Sequence, residues 1–163
     1  MHARYCTACG GALVDRAIGT AVRRTCSQCG HVHYPDPKVA VGVAVISDGR
    51  LLLVRRAIEP GRGSWALPGG YLDAGEDPRV AAAREAAEEA GVFVDVGDVM
   101  DVFVNTPDEG GALFVLFAAT WLSGEPTPGD DADAAAFIGP DEVPKLAFES
   151  TRHVVERWRQ REG

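Results

Sequence analysis

Two groups of residues in this 163-residue chain have the types and spacing for metal chemistry. The first is a run of carboxylates. Arg84-Glu85-Ala86-Ala87-Glu88-Glu89-Ala90-Gly91-Val92 sets Glu85, Glu88 and Glu89 just ahead of a glycine that reads as a helix end. The helix dipole is negative there, so each acid costs about 0.3 kcal/mol or more. Arg84 can reach Glu88 at i,i+4, but basic-before-acidic is the weaker orientation. A divalent cation would relieve the repulsion, because Mg²⁺ takes carboxylates, waters and phosphate oxygens together. Glu85 and Glu89, one turn apart, can share such an ion. A solvated helix face predicts the same three glutamates, and the run alone does not choose between the two.

The second group is four cysteines, all within the first 29 residues: Cys6 and Cys9 in CTAC, Cys26 and Cys29 in CSQC. Each pair is followed by glycine. Two CxxC knuckles at this separation fit a tetrahedral Zn²⁺ site. Glycine after the second cysteine lets the chain turn so that backbone N–H groups point at sulfur. Two disulfides would use the same residues, but the N-terminus has no apolar stretch that could serve as a signal peptide, and the chain reads as cytoplasmic. Four thiolates fill the coordination sphere and leave no open position for catalysis. His31 and His33 lie nearby and are expected to be surface or packing residues.

These residues need elements to position them. Some 35 residues cannot bury a core of their own, so the metal would supply the folding energy of the first unit. Pro35 and Pro37 stiffen a connector, which puts the boundary between residues 1–37 and a second domain, 38–163. There, Lys38–Arg56 holds two apolar β-branched runs split by Ser-Asp-Gly-Arg, a hairpin signal. Residues 57–77 are rich in Gly and Pro and read as a loop with a short strand at Trp65–Leu67. Asp77 as N-cap, Pro78 at the first turn and Gly91 at C′ bound a helix over 78–90. Its periodicity puts Val80, Ala83, Ala87 and Ala90 on the packed face and the three glutamates opposite. Strands follow over 92–105, 112–122 and 134–139, with a loop at 106–111. A brief helix is expected within 140–149, and a closing helix over 150–162 capped by Ser150. Strands interleaved with helices suggest an α/β sandwich.

Charge narrows the partners. Residues 1–38 carry five basic residues (Arg4, Arg16, Arg23, Arg24, Lys38) against two acids (Asp15, Asp36), a net of +3, whereas the rest is −11. An acidic body repels a phosphate backbone and argues against nucleic acid, although it suits divalent cations. The small basic unit has one aromatic, Tyr5, before the connector, a poor stacking surface. No apolar run reaches eighteen residues, so no membrane span is expected.

The carboxylate run resembles the signature of the Nudix hydrolase family. Gly70, five residues, Glu76, seven residues, Arg84-Glu85, aliphatic Ala86, one residue, Glu88-Glu89, one residue, Gly91 and aliphatic Val92 match every fixed position of that 23-residue box. The resemblance implies an α/β/α sandwich with a mixed sheet, preceded here by a zinc ribbon. It also implies hydrolysis of a nucleoside diphosphate linked to another group. Glu85, Glu88 and Glu89 would hold Mg²⁺ or Mn²⁺, with the Gly70 carbonyl contributing. Arg84 and Glu76 would orient the glutamates, and Arg56, at a strand end, would reach substrate phosphate or simply be solvated. Many members add an acid from a later loop as ligand or base. Asp131 is the match here, with Asp133 as alternate. A second acid three residues on is replaced by Ala134, so Glu88 or Glu89 is an alternative base.

The ribbon and the stretches GSWALPGGYLDAGE and LAFES resemble a zinc-ribbon group related to FAD and ADP-ribose pyrophosphatases, over Cys6 to about Trp158. The SQPWPFPxS stretch of NADH pyrophosphatases is absent. The resemblance therefore implies ADP-ribose or FAD as substrate. NADH cleavage, nucleoside triphosphate pyrophosphatase activity and non-catalytic nucleotide sensing stand as alternatives. The ribbon is expected to brace a homodimer or to edge the pocket.

Overall fold

A computed structural model describes residues 3–104 and 112–162; the expected loop at 106–111 lies outside them. The chain divides into two compact units, Met1–Asp36 and Pro37–Gly163. The first is a three-stranded antiparallel sheet of β1 (Leu13–Ile18), β2 (Ala21–Cys26) and β3 (Val32–His33), in that order. Its buried core is Cys6, Leu13 and Cys26, with Ala3 packed against it. Apolar burial on that scale cannot hold a fold, which leaves the cysteines to do so.

The second unit is built around the expected hairpin. β4 (Val39–Ser47) and β5 (Arg50–Arg56) are joined by Asp48 and Gly49. Asp48 is at φ 51 and Gly49 at φ 68, the paired positive values of a type I′ turn. β8 (Phe93–Val104), β9 (Leu113–Ser123) and β10 (Ala132–Ile138) complete the main path, in the order β10-β5-β4-β9-β8. β4 and β9 run parallel and the other pairs antiparallel, so the sheet is mixed. Val41, Val43, Val45, Leu52 and Val54 face one helix, α1 (Pro78–Ala90). Ala40, Ala44, Leu51 and Leu53 face the other, α2 (Glu149–Glu162). Both faces are covered, which is why β4 and β5 read as continuous apolar runs rather than alternating ones. The unit is an α/β/α sandwich.

Several local expectations change. The Gly-rich stretch after β6 (Trp65–Ala66) contains a further strand, β7 (Gly69–Tyr71), on β4. Composition hid it, because glycine is a poor strand former, but only glycine fits. A Cβ on Gly69 would run into the Val41 carbonyl and Gly42. β10 starts two residues earlier than expected. The brief helix is a 3₁₀ turn at Pro140–Glu142. Ser150 does not cap α2; it is buried inside the first turn.

The capping of α1 is as expected: Asp77 accepts from Arg79 N–H, Pro78 opens the helix, and Gly91 is left-handed at φ 66. Of its expected packed face only Ala90 is fully buried. Ala81, Ala82, Ala86 and Ala90 are buried, together with Glu85 and Glu89, whereas Val80 is 62% exposed. Ala83 and Ala87 are only partly buried, and Glu88 alone of the three glutamates is exposed. Burial covers about half the helix circumference. The sheet takes one side of it and the β7 segment takes the next, so two glutamates fall inside the boundary.

Two glycines beyond the helix let the chain return across its end. Gly124 packs against the Gly91 carbonyl, and a Cβ on Gly129 would stand 2.5 Å from the Glu88 carbonyl. The loop then donates Thr127 N–H to Ala90 O at 2.8 Å and Gly129 N–H to Glu89 O at 3.3 Å. Gly91→Ala would force a left-handed alanine whose Cβ stands 3.1 Å from that of Thr127. It is expected to cost about 1–2 kcal/mol, read as a lowered midpoint in urea denaturation with unchanged slope.

Candidate active site

In the first unit the four cysteines converge. The Sγ atoms lie 3.4 Å (Cys9–Cys29), 3.5 Å (Cys9–Cys26) and 3.8 Å (Cys6–Cys29) apart, and all are free thiols. A tetrahedral zinc with bonds of about 2.3 Å sets its sulfurs about 3.8 Å apart. The N–H groups of Gln28 and Cys29 point at Cys26 Sγ, each at 3.4 Å. Those donors, Cys29 first, pull the Cys26 thiol down to about 6, toward the thiolate a metal needs. Gly10 and Gly30, at φ 74 and 76, close the two knuckles through bonds to the carbonyls of Cys6 and Cys26. His31 and His33 are not part of the convergent set.

In the second unit, α1, β7 and the loop before β10 meet around a cavity of about 290 Å³. Glu85 and Glu89 enter it from α1, at 7% and 5% exposure. Gly70 lies beneath Glu85: a Cβ there would stand 2.5–2.6 Å from the Glu85 carboxylate, so only glycine lets it settle. Leu72 N–H donates to Val39 O and Val43 N–H to Pro68 O. Antiparallel alternation then puts Gly70 in a hydrogen-bonded pair opposite Val41, which leaves its carbonyl a second lone pair.

Arg84 ties the carboxylates together. It binds Glu76 through two parallel bonds, Nε to Oε1 at 3.0 Å and Nη2 to Oε2 at 3.1 Å. Its Nη1 donates to both Glu85 Oε1 and Glu88 Oε2 at 2.8 Å. Its Nη2 also reaches the Tyr71 carbonyl at 3.4 Å, which joins the helix to the β7 segment. The same guanidinium holds the Glu76 carboxyl below its ordinary range.

Glu89 accepts from Gly69 N–H at 2.9 Å. Burial pushes its carboxyl up to about 7; the Gly69 N–H and Arg56 oppose the rise, and Glu85 and Asp131 add to it. Glu85 is raised as well, chiefly by burial. The glutamates do not converge as the cysteines do. Each gives one oxygen to a protein donor, and the other has no hydrogen bond among the described residues. Hard oxygens held in this way fit Mg²⁺ or Mn²⁺.

The loop before β10 brings Asp131 into the cavity and with it Asp130, which sequence reasoning missed. Asp130 sits at φ 46, and its one trace in the sequence is the turn-like GDD. Asp133 is excluded from the cavity. It lies at a bulge in β10 and pairs with Arg55 at 2.6 Å. Ala134 sits in β10 opposite Arg55. Arg56 lines the cavity, its Nε donating to Pro60 O at 2.6 Å. Tyr71, Phe114, Phe148 and Thr151 complete much of the wall and were also missed. They come from three separate segments, β7, β9 and the start of α2, which no local pattern links.

The NUDIX domain family matches residues 36–158, which span the hairpin, the glutamate helix and the cavity. The chain belongs to the Nudix family. Residues 4–35 match the family described as Nudix N-terminal, a zinc ribbon, and the four cysteines fall within it. An ADP-ribose pyrophosphatase of Methanocaldococcus jannaschii is 34% identical over 133 residues, covering 80% of this chain and 78% of that protein. A NAD-capped RNA hydrolase of Photobacterium profundum is 28% identical over 149 residues, but that match spans only 54% of its length. A crystal structure of a NUDIX hydrolase from Nitrosomonas europaea superposes with a TM-score of 0.88 at 31% identity, covering 97% of this chain and 91% of that one. The chain is thus a Nudix hydrolase with an N-terminal zinc ribbon. Among the described residues no helix is long and apolar enough to cross a membrane.

Two predictions follow from this geometry. Elemental analysis of the purified protein is expected to find about one zinc per chain, and Cys26→Ser should release it and collapse the NMR dispersion of the first unit. Asp131→Asn should lower hydrolysis at least about tenfold. Asp133→Asn, which breaks only a rim ion pair, should change it less than about twofold; the reverse ranking would assign the loop acid to Asp133.

Proposed function

We propose that this Nudix hydrolase cleaves the diphosphate of a nucleoside diphosphate joined to a second group, with ADP-ribose or FAD as substrate. The products are AMP with ribose 5-phosphate or FMN. One observation carries the reading: five acids, Glu59, Glu85, Glu89, Asp130 and Asp131, line the cavity, and among its described lining residues Arg56 is the one cation. A diphosphate cannot enter such a field alone. Glu85, Glu88 and Glu89, with the Gly70 carbonyl, would hold Mg²⁺ or Mn²⁺ through the oxygens left over from protein hydrogen bonds. When bound, the ions supply charge neutralisation and water activation at the diphosphate.

The remaining roles fall to the chain itself. Arg84, anchored on Glu76, keeps Glu85 and Glu88 at fixed spacing. Arg56 faces a phosphate oxygen. Asp131 takes a proton from the attacking water, with Glu88 or Glu89 as the other candidates. Water adds to phosphorus, the bridging P–O bond breaks, and the phosphate oxygen leaves.

The relative named ADP-ribose pyrophosphatase supports that substrate. The relative named NAD-capped RNA hydrolase supports a second reading, cleavage of a nicotinamide dinucleotide at the same kind of bond. The test offers Mg²⁺ with ADP-ribose, FAD, NADH and nucleoside triphosphates, and identifies the products by chromatography. AMP from ADP-ribose or FAD is expected. Pyrophosphate from triphosphates alone would overturn the assignment. Glu89→Gln should lower turnover at least about a hundredfold with an unchanged melting temperature.

A further inference from the structure

The Arg56 side chain is long, and a free guanidinium must surrender rotamer freedom each time it meets a phosphate. In this fold two contacts have already taken that freedom away. The Pro60 carbonyl accepts from Nε at 2.6 Å. The guanidinium carbon lies 5.0 Å from the centroid of the Phe148 ring, within cation–π range. One edge and one face of the group are therefore occupied, and the Nη edge is the part left for a ligand.

The two contacts come from segments that are themselves fixed against each other. Residues 145–147 run beside β6: Trp65 N–H donates to Lys145 O and Ala147 N–H to Trp65 O, both at 2.8 Å. The next residue, Phe148, opens α2, its carbonyl accepting from Arg152 N–H at 3.1 Å. Gly61, at φ +81, brings the loop after β5 directly onto this segment. A Cβ there would stand 2.9 Å from that of Ala147. Pro60 precedes that glycine and Phe148 follows that alanine, so one close approach sets both halves of the clamp.

We propose that Phe148 is a positioning residue: its ring and the Pro60 carbonyl hold Arg56 with its Nη edge toward a phosphate of the bound diphosphate. The inference rests on the diphosphate reading above.

The test is a double-mutant cycle read by calorimetric binding of inorganic pyrophosphate and of ADP with Mg²⁺, which needs no turnover. Phe148→Leu keeps apolar bulk and loses the ring; it is expected to weaken both ligands about fivefold to tenfold. Phe148→Tyr keeps the ring and should stay within about twofold. In an Arg56→Ala background, Phe148→Leu should add less than about twofold, because the residue acts through Arg56. Three results would overturn the proposal: a Phe148→Leu loss that persists in the Arg56→Ala background, a loss seen with ADP and not with pyrophosphate, or a Phe148→Tyr loss as large as that of leucine. Should the leucine variant fold poorly, Phe148→Met takes its place in the cycle. Wild-type protein that binds pyrophosphate but cleaves nothing in the substrate panel would sink the proposed activity and leave the cycle readable. Wild-type protein that binds neither ligand would overturn both.

Discussion

The last turn of α1 leaves carbonyls that the helix cannot satisfy by itself, and the donors they find bring the acidic wall of the pocket together. Gly91 N–H turns back to Ala87 O and Val92 N–H to Ala86 O, while Gly129 and Thr127 supply donors to Glu89 O and Ala90 O from a distant loop. An unsatisfied buried carbonyl costs about 1–3 kcal/mol, so the loop is held there by more than shape. Once residues 127–129 are on the helix end, Asp130 and Asp131 follow directly into the cavity that Glu85 and Glu89 already face. The backbone donors also offset the negative end of the dipole at the very turn that carries the glutamates. Structural capping and the gathering of the site are one arrangement.

Charge within that arrangement is managed unevenly. Arg84 is shared among Glu76, Glu85 and Glu88, and its two parallel hydrogen bonds to Glu76 fix the plane from which it reaches the other two. Glu89 has a backbone N–H in place of a cation and lies deepest, which is why its carboxyl is raised to about 7 while Glu76 is lowered. A helix selected for stability alone would not bury two acids beside a second acidic pair. The cluster makes sense as a place where positive charge arrives with the ligand.

The two halves of the chain treat metals in opposite ways. The ribbon gathers four cysteines, soft donors spaced for a closed tetrahedral zinc site, and its three-residue buried core leaves the fold to depend on that coordination. The second unit has a full apolar core on each face of its sheet and does not need an ion to fold. Its carboxylates keep oxygens in reserve and sit beside an open cavity. One site is structural because it is closed, and the other is suited to chemistry because it is not.

Much of this was legible in the sequence, for reasons that are local. The zinc knuckles, the hairpin turn at Asp48-Gly49 and both ends of α1 rest on spacings and conformations set within a few residues of each other. The spacing from Gly70 to Val92 was readable for the same reason. The buried side of α1 was not, because a helix does not carry the position of its neighbours. Periodicity chose Val80, Ala83, Ala87 and Ala90, of which only Ala90 is buried, and the β7 segment, invisible in a Gly-rich stretch, moved the boundary to include Glu85 and Glu89. Nor could the chain order show that Asp131 rather than Asp133 enters the cavity, since a bulge in β10 decides it. The wall formed by Arg56, Phe148 and Thr151 likewise depends on long-range contacts. By itself the sequence determined the elements other than β7 and the donor atoms other than those of Asp130, because propensity, capping and ligand chemistry act over short spans. Tertiary structure alone decided which of those atoms share a cavity, because that depends on how segments distant in the chain pack and satisfy one another's backbone.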